Sequence, residues 1–245
     1  TCALPIFIVE LEEEQKKLYL AELERVKRQT DEIMHSNESS RLKFMILQLL
    51  TKLRQICIDP SIIYQDYKGH SGKMIEFINS VISLVENGHK ILVFTSFRGA
   101  LEKAKQELKK KKITSYTIDG SVSSKKRMEL VERFNQDDTN VFFIMLKAGG
   151  TGLNLTSADV VIHLDIWWNP QVENQATDRA HRIGQTKSVN VVKFITRGTI
   201  EEKIIELQNK KKILSDNLIE GKADNVLNSL SEKEIRSLLS YGEDD

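Results

Sequence analysis

The chain has 245 residues, 40% of them hydrophobic and 29% charged, and a formal net charge of +1. These values fit one large domain, with or without a smaller appendage, and a net charge this close to zero gives no support by itself to nucleic-acid binding. No apolar run approaches the ~20 residues that a membrane span needs, and two cysteines, Cys2 and Cys57, cannot form a disulfide framework or a zinc site alone.

The first 70 residues are predicted to form a helical lead-in segment that begins with a short strand. Residues 4–9 are apolar, and residues 12–28 are rich in Glu, Lys, Leu and Gln, which favour helices. After a polar break, residues 41–56 place their apolar side chains on one face of a second helix. This helix ends before Pro60, because proline disfavours a helical conformation in the preceding residue.

From residue 71 the pattern changes to alternating strands and helices. Apolar strands are predicted at 91–94, 115–118, 141–145, 160–164 and 189–195. Helices are predicted at 73–87 with a C-cap at Asn87-Gly88, at 100–112, at 123–135, from Asn169-Pro170 onward, and from a capping box at Thr199–Glu202 to about residue 214. Strands that are apolar throughout and alternate with helices indicate a parallel sheet covered on both faces. Residues 71–215 are therefore predicted to form a doubly wound α/β domain, and residues 216–245 a helical extension.

Ligands of such a sheet bind at the carboxyl ends of its strands. Two predicted strands end in hydroxyl- or glycine-bearing turns, Thr95-Ser96 and Asp119-Gly120-Ser121. Groups of this kind donate hydrogen bonds to phosphates without reading bases, although each turn alone also fits an ordinary helix cap. Combined with the cations Lys73, Lys125, Lys126 and Arg127, they form a candidate path for a phosphate backbone.

A glycine-rich segment, Lys147–Leu155, follows the predicted strand 141–145. Three glycines among residues 149–152 allow the backbone to approach a ligand closely and to turn N–H groups toward an anion. A tight turn without a ligand fits the same residues, but the position at the end of a strand favours the ligand.

The segment 175–185 carries two arginines at helical spacing. On one helix, Gln175, Arg179 and Arg182 stand at i, i+4 and i+7 and share a face, with Asp178 beside them. Two guanidinium groups on a rigid face suit a γ-phosphate whose charge grows during transfer. A solvated face of salt bridges fits the same spacing.

The only two tryptophans of the chain, Trp167 and Trp168, are adjacent, and Pro170 follows them closely. Adjacent indoles do not both face the same core, so one is expected at a surface, where it can pack on a sugar or a backbone. One buried and one incidental tryptophan is the alternative.

A phosphate-binding loop of the GxxxxGK[ST] type is missing from this sequence. Ser71-Gly72-Lys73-Met74 lacks both the upstream glycine and the final Ser or Thr. The chain is therefore not expected to hold ATP and Mg²⁺ by itself, and no residue is predicted to ligate a metal.

Together these segments resemble the second RecA-like lobe of superfamily-two helicases, in the Swi/Snf-type subgroup. The resemblance covers essentially the whole chain, and the closing LSEKEIRSLL and WWNP are most similar to bacterial and archaeal members. The segments that carry it are DRAHRIGQ (178–185), KAGGTGLNLT (147–156), WWNP (167–170), ILVFTSF (91–97), IDGSVSSKKRMELVERFN (118–135), LLTKLRQICIDP (49–60) and SGKM (71–74). Met145 departs from a Ser that many relatives carry, and Ile166 replaces a more usual Pro or polar residue.

The resemblance implies a role for each matching position. Arg179 and Arg182 would be arginine fingers that reach ATP bound on another lobe. The residues expected to line the same cleft are Gln175, Gly150, Thr151, Gly152 and Asp178. Those expected to contact DNA are Lys73, Thr95, Ser96, Gly120, Ser121, Lys147 and Trp168.

The resemblance also implies an activity and partners. The parent protein would be a DNA-dependent ATPase that steps along duplex DNA, with ATP and Mg²⁺ held mainly by an N-terminal RecA-like lobe of the same polypeptide. The isolated lobe would be inactive. Duplex DNA and DNA-bound proteins would be its partners, in the cytoplasm of a prokaryote or the nucleus of a eukaryote. The alternative is a non-catalytic DNA- or protein-binding module. An RNA helicase is disfavoured because such helicases typically carry Gly where Asp178 stands.

Overall fold

The computed structural model describes residues 6–34, 39–146, 148, 153–180, 187–215 and 231–240. The chain divides into two compact units, one made of residues 1–8 and 74–195 and the other of residues 9–73 and 196–245. The three consecutive segments expected from the sequence, with boundaries at 70 and 215, stay a prediction. The helices before residue 73 and those after residue 196 form one unit because they pack on each other.

The first unit is built on a sheet with the strand order β1-β6-β5-β2-β4-β3 among the described residues. The strands are β1 (Ile6–Val9), β2 (Ile91–Thr95), β3 (Ser115–Ile118), β4 (Val141–Met145), β5 (Val160–His163) and β6 (Asn190–Thr196). The helices are α3 (Gly72–Glu86), whose first two residues belong to the second unit, α4 (Arg98–Lys110), α5 (Ser124–Gln136) and α6 (Pro170–Thr177). The pairs β3–β4, β4–β2, β2–β5 and β5–β6 are all parallel. The predicted RecA-like, doubly wound α/β fold is therefore confirmed.

The apolar character of the central strands follows from this arrangement. Every residue of β2 and of β5 is buried, because helices cover a parallel sheet on both faces. Phe94, Phe134 and Phe142 belong to one core cluster with Ile144. The sheet is thus a rigid platform, and its carboxyl edge can hold loops in fixed positions.

Local signals set the ends of several helices. α3 ends at Glu86, Gly88 just beyond it has a φ of 78°, and the N–H of His89 donates to the carbonyl of Leu84 at 3.0 Å. This pattern is the predicted glycine C-cap. α6 starts as predicted, since the Asn169 side chain accepts from the N–H of Gln171 at 2.9 Å and Pro170 is the first helical residue.

The second unit contains the remaining described helices. They are α1 (Glu13–Met34), α2 (Ser39–Ile58), a 3-10 turn (Pro60–Ile62), α7 (Ile200–Ser215) and α8 (Glu232–Leu238). The buried side chain of Gln15 joins three segments of this unit, since Nε2 donates to the carbonyl of Ile56 at 2.8 Å and Oε1 accepts from the N–H of Gly72 at 3.1 Å. None of the described helices is long and apolar enough to cross a membrane.

The capping box predicted at the start of α7 has a different bonding pattern. The Glu202 carboxylate accepts from the N–H of Gly198 at 2.8 Å, and the Thr199 hydroxyl donates to the carbonyl of Thr196 at 2.7 Å. The N–H of Glu201 donates to this hydroxyl at 3.3 Å. The prediction was right about where the helix begins and wrong about which groups cap it.

Candidate functional site

The parallel strands β2, β3, β4 and β5 end at one edge of the sheet. The segments that follow them begin at Ser96, Asp119, Leu146 and Leu164. They hold most of the predicted site residues that the structure describes. The sheet therefore brings together turns that lie far apart in the sequence.

Thr95 and Asp165 tie the ends of β2 and β5 to each other. The Thr95 hydroxyl donates to Oδ1 of Asp165 at 2.6 Å, and the N–H of Ser96 donates to the same oxygen at 2.8 Å. Thr95 and Asp165 are fully buried. A direct contact between Thr95 and DNA would require this link to open, so the structure argues against that predicted role.

Ser96 follows Thr95 at the same edge of the sheet, but its hydroxyl does not share the hydrogen bond to Asp165. Its side-chain oxygen is buried and has no hydrogen-bond partner among the described residues. Ser96 therefore remains a candidate contact, whereas the neighbouring Thr95 is a structural residue.

Gly120 and Ser121 lie in an exposed turn after β3. A Cβ added at Gly120 would meet no heavy atom within 4 Å, so the turn is open to an approaching ligand. The N–H and the hydroxyl of Ser121 donate to Oδ1 of Asp119, at 2.9 and 2.5 Å. These hydrogen bonds hold the pKa of Asp119 below its usual range. The turn is thus ordered by its own carboxylate while its tip faces solvent.

The two tryptophans differ in exposure, and Trp168 is the buried one. Trp168 is 7% exposed, whereas Trp167 is half-buried. The expectation that one indole faces a surface fits this pair, but the surface indole is Trp167. The predicted DNA contact of Trp168 would need its side chain to leave the core.

The helix that carries the predicted arginine face is shorter than expected. α6 ends at Thr177, and residues 178–180 form a turn. Gln175 and Arg179 therefore do not lie on one continuous helix, and the shared-face prediction is wrong for this pair. Gln175 and Asp178 are exposed, and Arg179 is mostly buried.

Arg179 is nevertheless held next to the glycine-rich segment. Its carbonyl accepts from the N–H of Leu155 at 3.2 Å. Leu155 is the last residue of the segment Lys147–Leu155, so this main-chain hydrogen bond links the end of that segment to the turn after α6. Five of the predicted site residues lie outside the described residues, namely Lys147, Gly150, Thr151, Gly152 and Arg182.

A buried polar cluster beneath α6 was not found from the sequence. Glu173 Oε2 lies 2.5 Å from Nζ of Lys193 in β6, and Glu173 Oε1 accepts from the N–H of Trp167 at 2.7 Å. Burial raises the pKa of Glu173, and Lys193 offsets this only in part. A Glu in the first turn of a helix is typical of helix starts, so nothing in the sequence marked it as buried.

The other end of α6 is anchored by His163. The Thr177 hydroxyl donates to the carbonyl of Glu173 at 3.1 Å, so it accepts from Nε2 of His163 at 3.2 Å. Burial and the charge of Lys193 lower the pKa of His163 to about 3. His163 is therefore neutral at physiological pH, with its proton on Nε2.

Lys73 does not face solvent. Its side chain is fully buried, and Nζ lies 2.6 Å and 2.5 Å from the two carboxylate oxygens of Glu201. Glu201 also accepts from the N–H of Thr196 at 2.8 Å. A phosphate contact by Lys73 would require this ion pair to break, so the structure argues against that role. Within the described residues, no cluster of three or more His, Cys, Asp or Glu side chains is suited to a metal ion.

Comparisons with known proteins agree on one family. The family described as "Helicase conserved C-terminal domain" matches residues 73–184. An uncharacterised ATP-dependent helicase of Mycoplasma genitalium is 40% identical over 94% of this chain, which spans only 22% of that relative.

Two solved structures of Sulfolobus solfataricus are similar throughout this chain. The C-terminal domain of a SWI2/SNF2 ATPase is 32% identical with a TM-score of 0.76, over 95% of this chain and 96% of that domain. The SWI2/SNF2 ATPase core in complex with double-stranded DNA is 34% identical with a TM-score of 0.78, over 96% of this chain and 49% of that core.

Proposed function

The chain belongs to the SWI2/SNF2 ATPase family as a C-terminal helicase lobe, and we propose that it serves as the second lobe of an ATP-driven translocase on double-stranded DNA. The near-complete overlap with a SWI2/SNF2 C-terminal domain carries this proposal. A related core was solved with double-stranded DNA, and this chain covers 49% of it. The remaining half of such a core would be the partner lobe in the same polypeptide.

In the proposed mechanism ATP and Mg²⁺ are bound mainly by that partner lobe. ATP supplies the phosphoanhydride bond, and the metal neutralises charge on its phosphates. This chain contributes donors and cations. Gln175 and Asp178 are exposed beside Arg179, so they are accessible to a nucleotide presented from outside. The missing phosphate-binding loop explains why the isolated lobe is expected to be inactive.

Arg179 and Arg182 are proposed as arginine fingers. A guanidinium group offers several donors in one plane and matches the equatorial oxygens of a phosphoryl group in transfer. The anchoring of α6 by Glu173 and Thr177, and of the Arg179 carbonyl by Leu155, would hold Arg179 in a defined place. A defined place matters because phosphoryl transfer is catalysed mainly by positioning and charge stabilisation.

The DNA contacts are proposed at the exposed turn Gly120-Ser121, at Ser96, and at the start of α5. The first turn of α5 has no acidic residue, and Lys125 and Lys126 are exposed there. Hydroxyl groups, backbone N–H groups and lysines contact phosphate and sugar, so base preference is not expected. Binding would weaken steeply with salt.

The substitution Arg179→Ala in the full-length protein tests the assignment of the arginine. Loss of an arginine finger lowers the hydrolysis rate by a factor on the order of 10³ or more, while DNA binding should survive. Arg133→Ala is the matched control, because Arg133 is an exposed arginine of α5 outside the proposed site. Near-normal DNA-stimulated turnover of Arg179→Ala would refute the assignment.

A further inference from the structure

Arg127 is the cation at the start of α5 that does not point to solvent. It lies one position after Lys126 and is half-buried. Each nitrogen of its guanidinium group donates to a main-chain carbonyl. Nε donates to Val122 at 2.9 Å, Nη1 to Ala148 at 3.0 Å and Nη2 to Asp119 at 3.3 Å.

These carbonyls belong to two different loops of the carboxyl edge. Asp119 and Val122 enclose the turn with Gly120 and Ser121, after β3. Ala148 follows β4 and directly precedes the glycines of residues 149–152. β3 and β4 are neighbouring parallel strands, so one arginine spans the gap between the loops that follow them.

Electrostatics within α5 does not explain a cation at this position. A positive charge near a helix N-terminus is disfavoured by the helix dipole, and the first turn of α5 has no acidic residue to compensate. Three carbonyls in a fan match the planar donors of arginine, whereas a lysine ammonium on its flexible stem cannot reproduce that fork. The contacts made at position 127 therefore require the planar guanidinium group of arginine as well as a positive charge.

We propose that Arg127 is a positioning residue that couples the Gly120-Ser121 turn to the loop at Ala148, so that DNA bound at the turn changes the rate of ATP hydrolysis. The effect of Arg127 on ATP hydrolysis rests on the proposed function. The link that its three hydrogen bonds make between the two loops, called the brace below, does not. This role replaces the sequence-based expectation that Arg127 lies on the phosphate path. DNA that displaces the Gly120-Ser121 turn would act on Ala148 through the hydrogen bonds of one planar guanidinium group.

The test compares Arg127→Lys and Arg127→Gln in the full-length protein, with Arg133→Gln as the control. Arg133 also lies on α5, but its guanidinium group contacts the Tyr116 ring and Glu129 rather than either loop. Duplex-DNA affinity and ATP hydrolysis with and without duplex DNA are measured for each protein. Coupling free energies between sites typically correspond to about 5–150-fold. Both Arg127 variants should therefore lower the stimulation of hydrolysis by DNA about tenfold, whereas Arg133→Gln should not.

Arg127→Lys separates geometry from charge. The brace requires the planar donors of arginine, so Arg127→Lys should lose DNA-stimulated hydrolysis as Arg127→Gln does. Its affinity for DNA should stay close to that of the wild type. A phosphate contact requires only the charge. If Arg127→Lys kept normal stimulation while Arg127→Gln lost DNA affinity, the proposal would be overturned.

Amide hydrogen exchange tests the brace without reference to activity. In the wild type the N–H of Ser121 donates to the Asp119 carboxylate, and the N–H of Ala148 donates to the carbonyl of Met145. Faster exchange in both loops of Arg127→Lys, but not of Arg133→Gln, is expected. Unchanged exchange in both loops would refute the brace. A wild-type protein without DNA-stimulated hydrolysis would instead refute the proposed function and leave the exchange result to decide on Arg127.

Discussion

Nζ of Lys193 lies 2.5 Å from Oε2 of Glu173, so a strand of the sheet holds the first turn of α6 through a buried ion pair. Glu173 is 1% exposed and Lys193 is 8% exposed. α6 leads directly into the turn that carries Arg179. The position of the proposed arginine finger therefore depends on a pair of charges that water hardly reaches.

Replacing Lys193 by Met should destabilise the chain by about 3–5 kcal/mol, because removing one partner leaves an uncompensated buried charge. Urea unfolding of this chain at neutral pH measures the effect. Lys126→Met is the control, since its ion pair with Glu129 is of similar length but about half exposed on both sides, and such surface pairs contribute roughly 0–1 kcal/mol. Equal losses for the two variants would show that Glu173 is not held as a buried charge.

His163 makes the stability of the first unit sensitive to acid. Burial lowers its pKa in the folded chain to about 3, whereas an unfolded histidine keeps its ordinary value near 6.5. Between these values the unfolded chain binds a proton that the folded chain does not, so stability falls as pH decreases from about 6.5 towards 3. In His163→Gln this slope should be smaller by up to roughly 1.4 kcal/mol per pH unit.

Unfolding by urea at several pH values between 4 and 7 gives the two slopes. His70→Gln serves as the control, because His70 is exposed on the surface of the other unit. A parallel loss of stability in wild type and His163→Gln on acidification would show that His163 is not the group that takes up the proton.

Substitutions at Gly72 and Gly120 allow an effect on stability to be distinguished from an effect on DNA binding. A Cβ at Gly72 would lie 2.1 Å from the carbonyl oxygen of Glu10, whereas a Cβ at Gly120 would meet nothing within 4 Å. Gly72→Ala should therefore cost about 1–3 kcal/mol or more, as overpacking does, and Gly120→Ala should stay within about 0.5 kcal/mol of the wild type.

Gly120→Ala should instead weaken duplex-DNA binding of the full-length protein, because the added methyl group stands where a phosphate would approach the turn. Thermal unfolding and DNA titration of both variants check this. Unaltered DNA affinity of a stable Gly120→Ala protein would remove the turn from the proposed interface.

The sheet was predictable because its strands are continuous apolar runs. β3 and β4 have the predicted limits of 115–118 and 141–145. Such runs are required wherever helices cover both faces of a parallel sheet, so the pattern and the structure have one cause. The order of the strands was not predictable in this way, because it depends on contacts between distant parts of the chain.

The roles of individual polar residues were harder to predict, since their partners are distant in sequence. Thr95 is bound to Asp165, 70 residues away, and Lys73 to Glu201, 128 residues away. A threonine or lysine at the end of an element gives no local sign that such a partner exists. The end of α6 at Thr177 was missed for a related reason, because neither glycine nor proline marks it.

If this chain is one lobe of a two-lobe, DNA-dependent motor, ATP hydrolysis requires both lobes. The most direct test is ATP hydrolysis with and without duplex DNA, for this chain alone, for the partner lobe alone, and for the full polypeptide. A two-lobe motor should hydrolyse ATP only as the full polypeptide, and duplex DNA should raise that rate. Hydrolysis by this chain alone, or an inert full polypeptide that still binds DNA, would contradict this expectation.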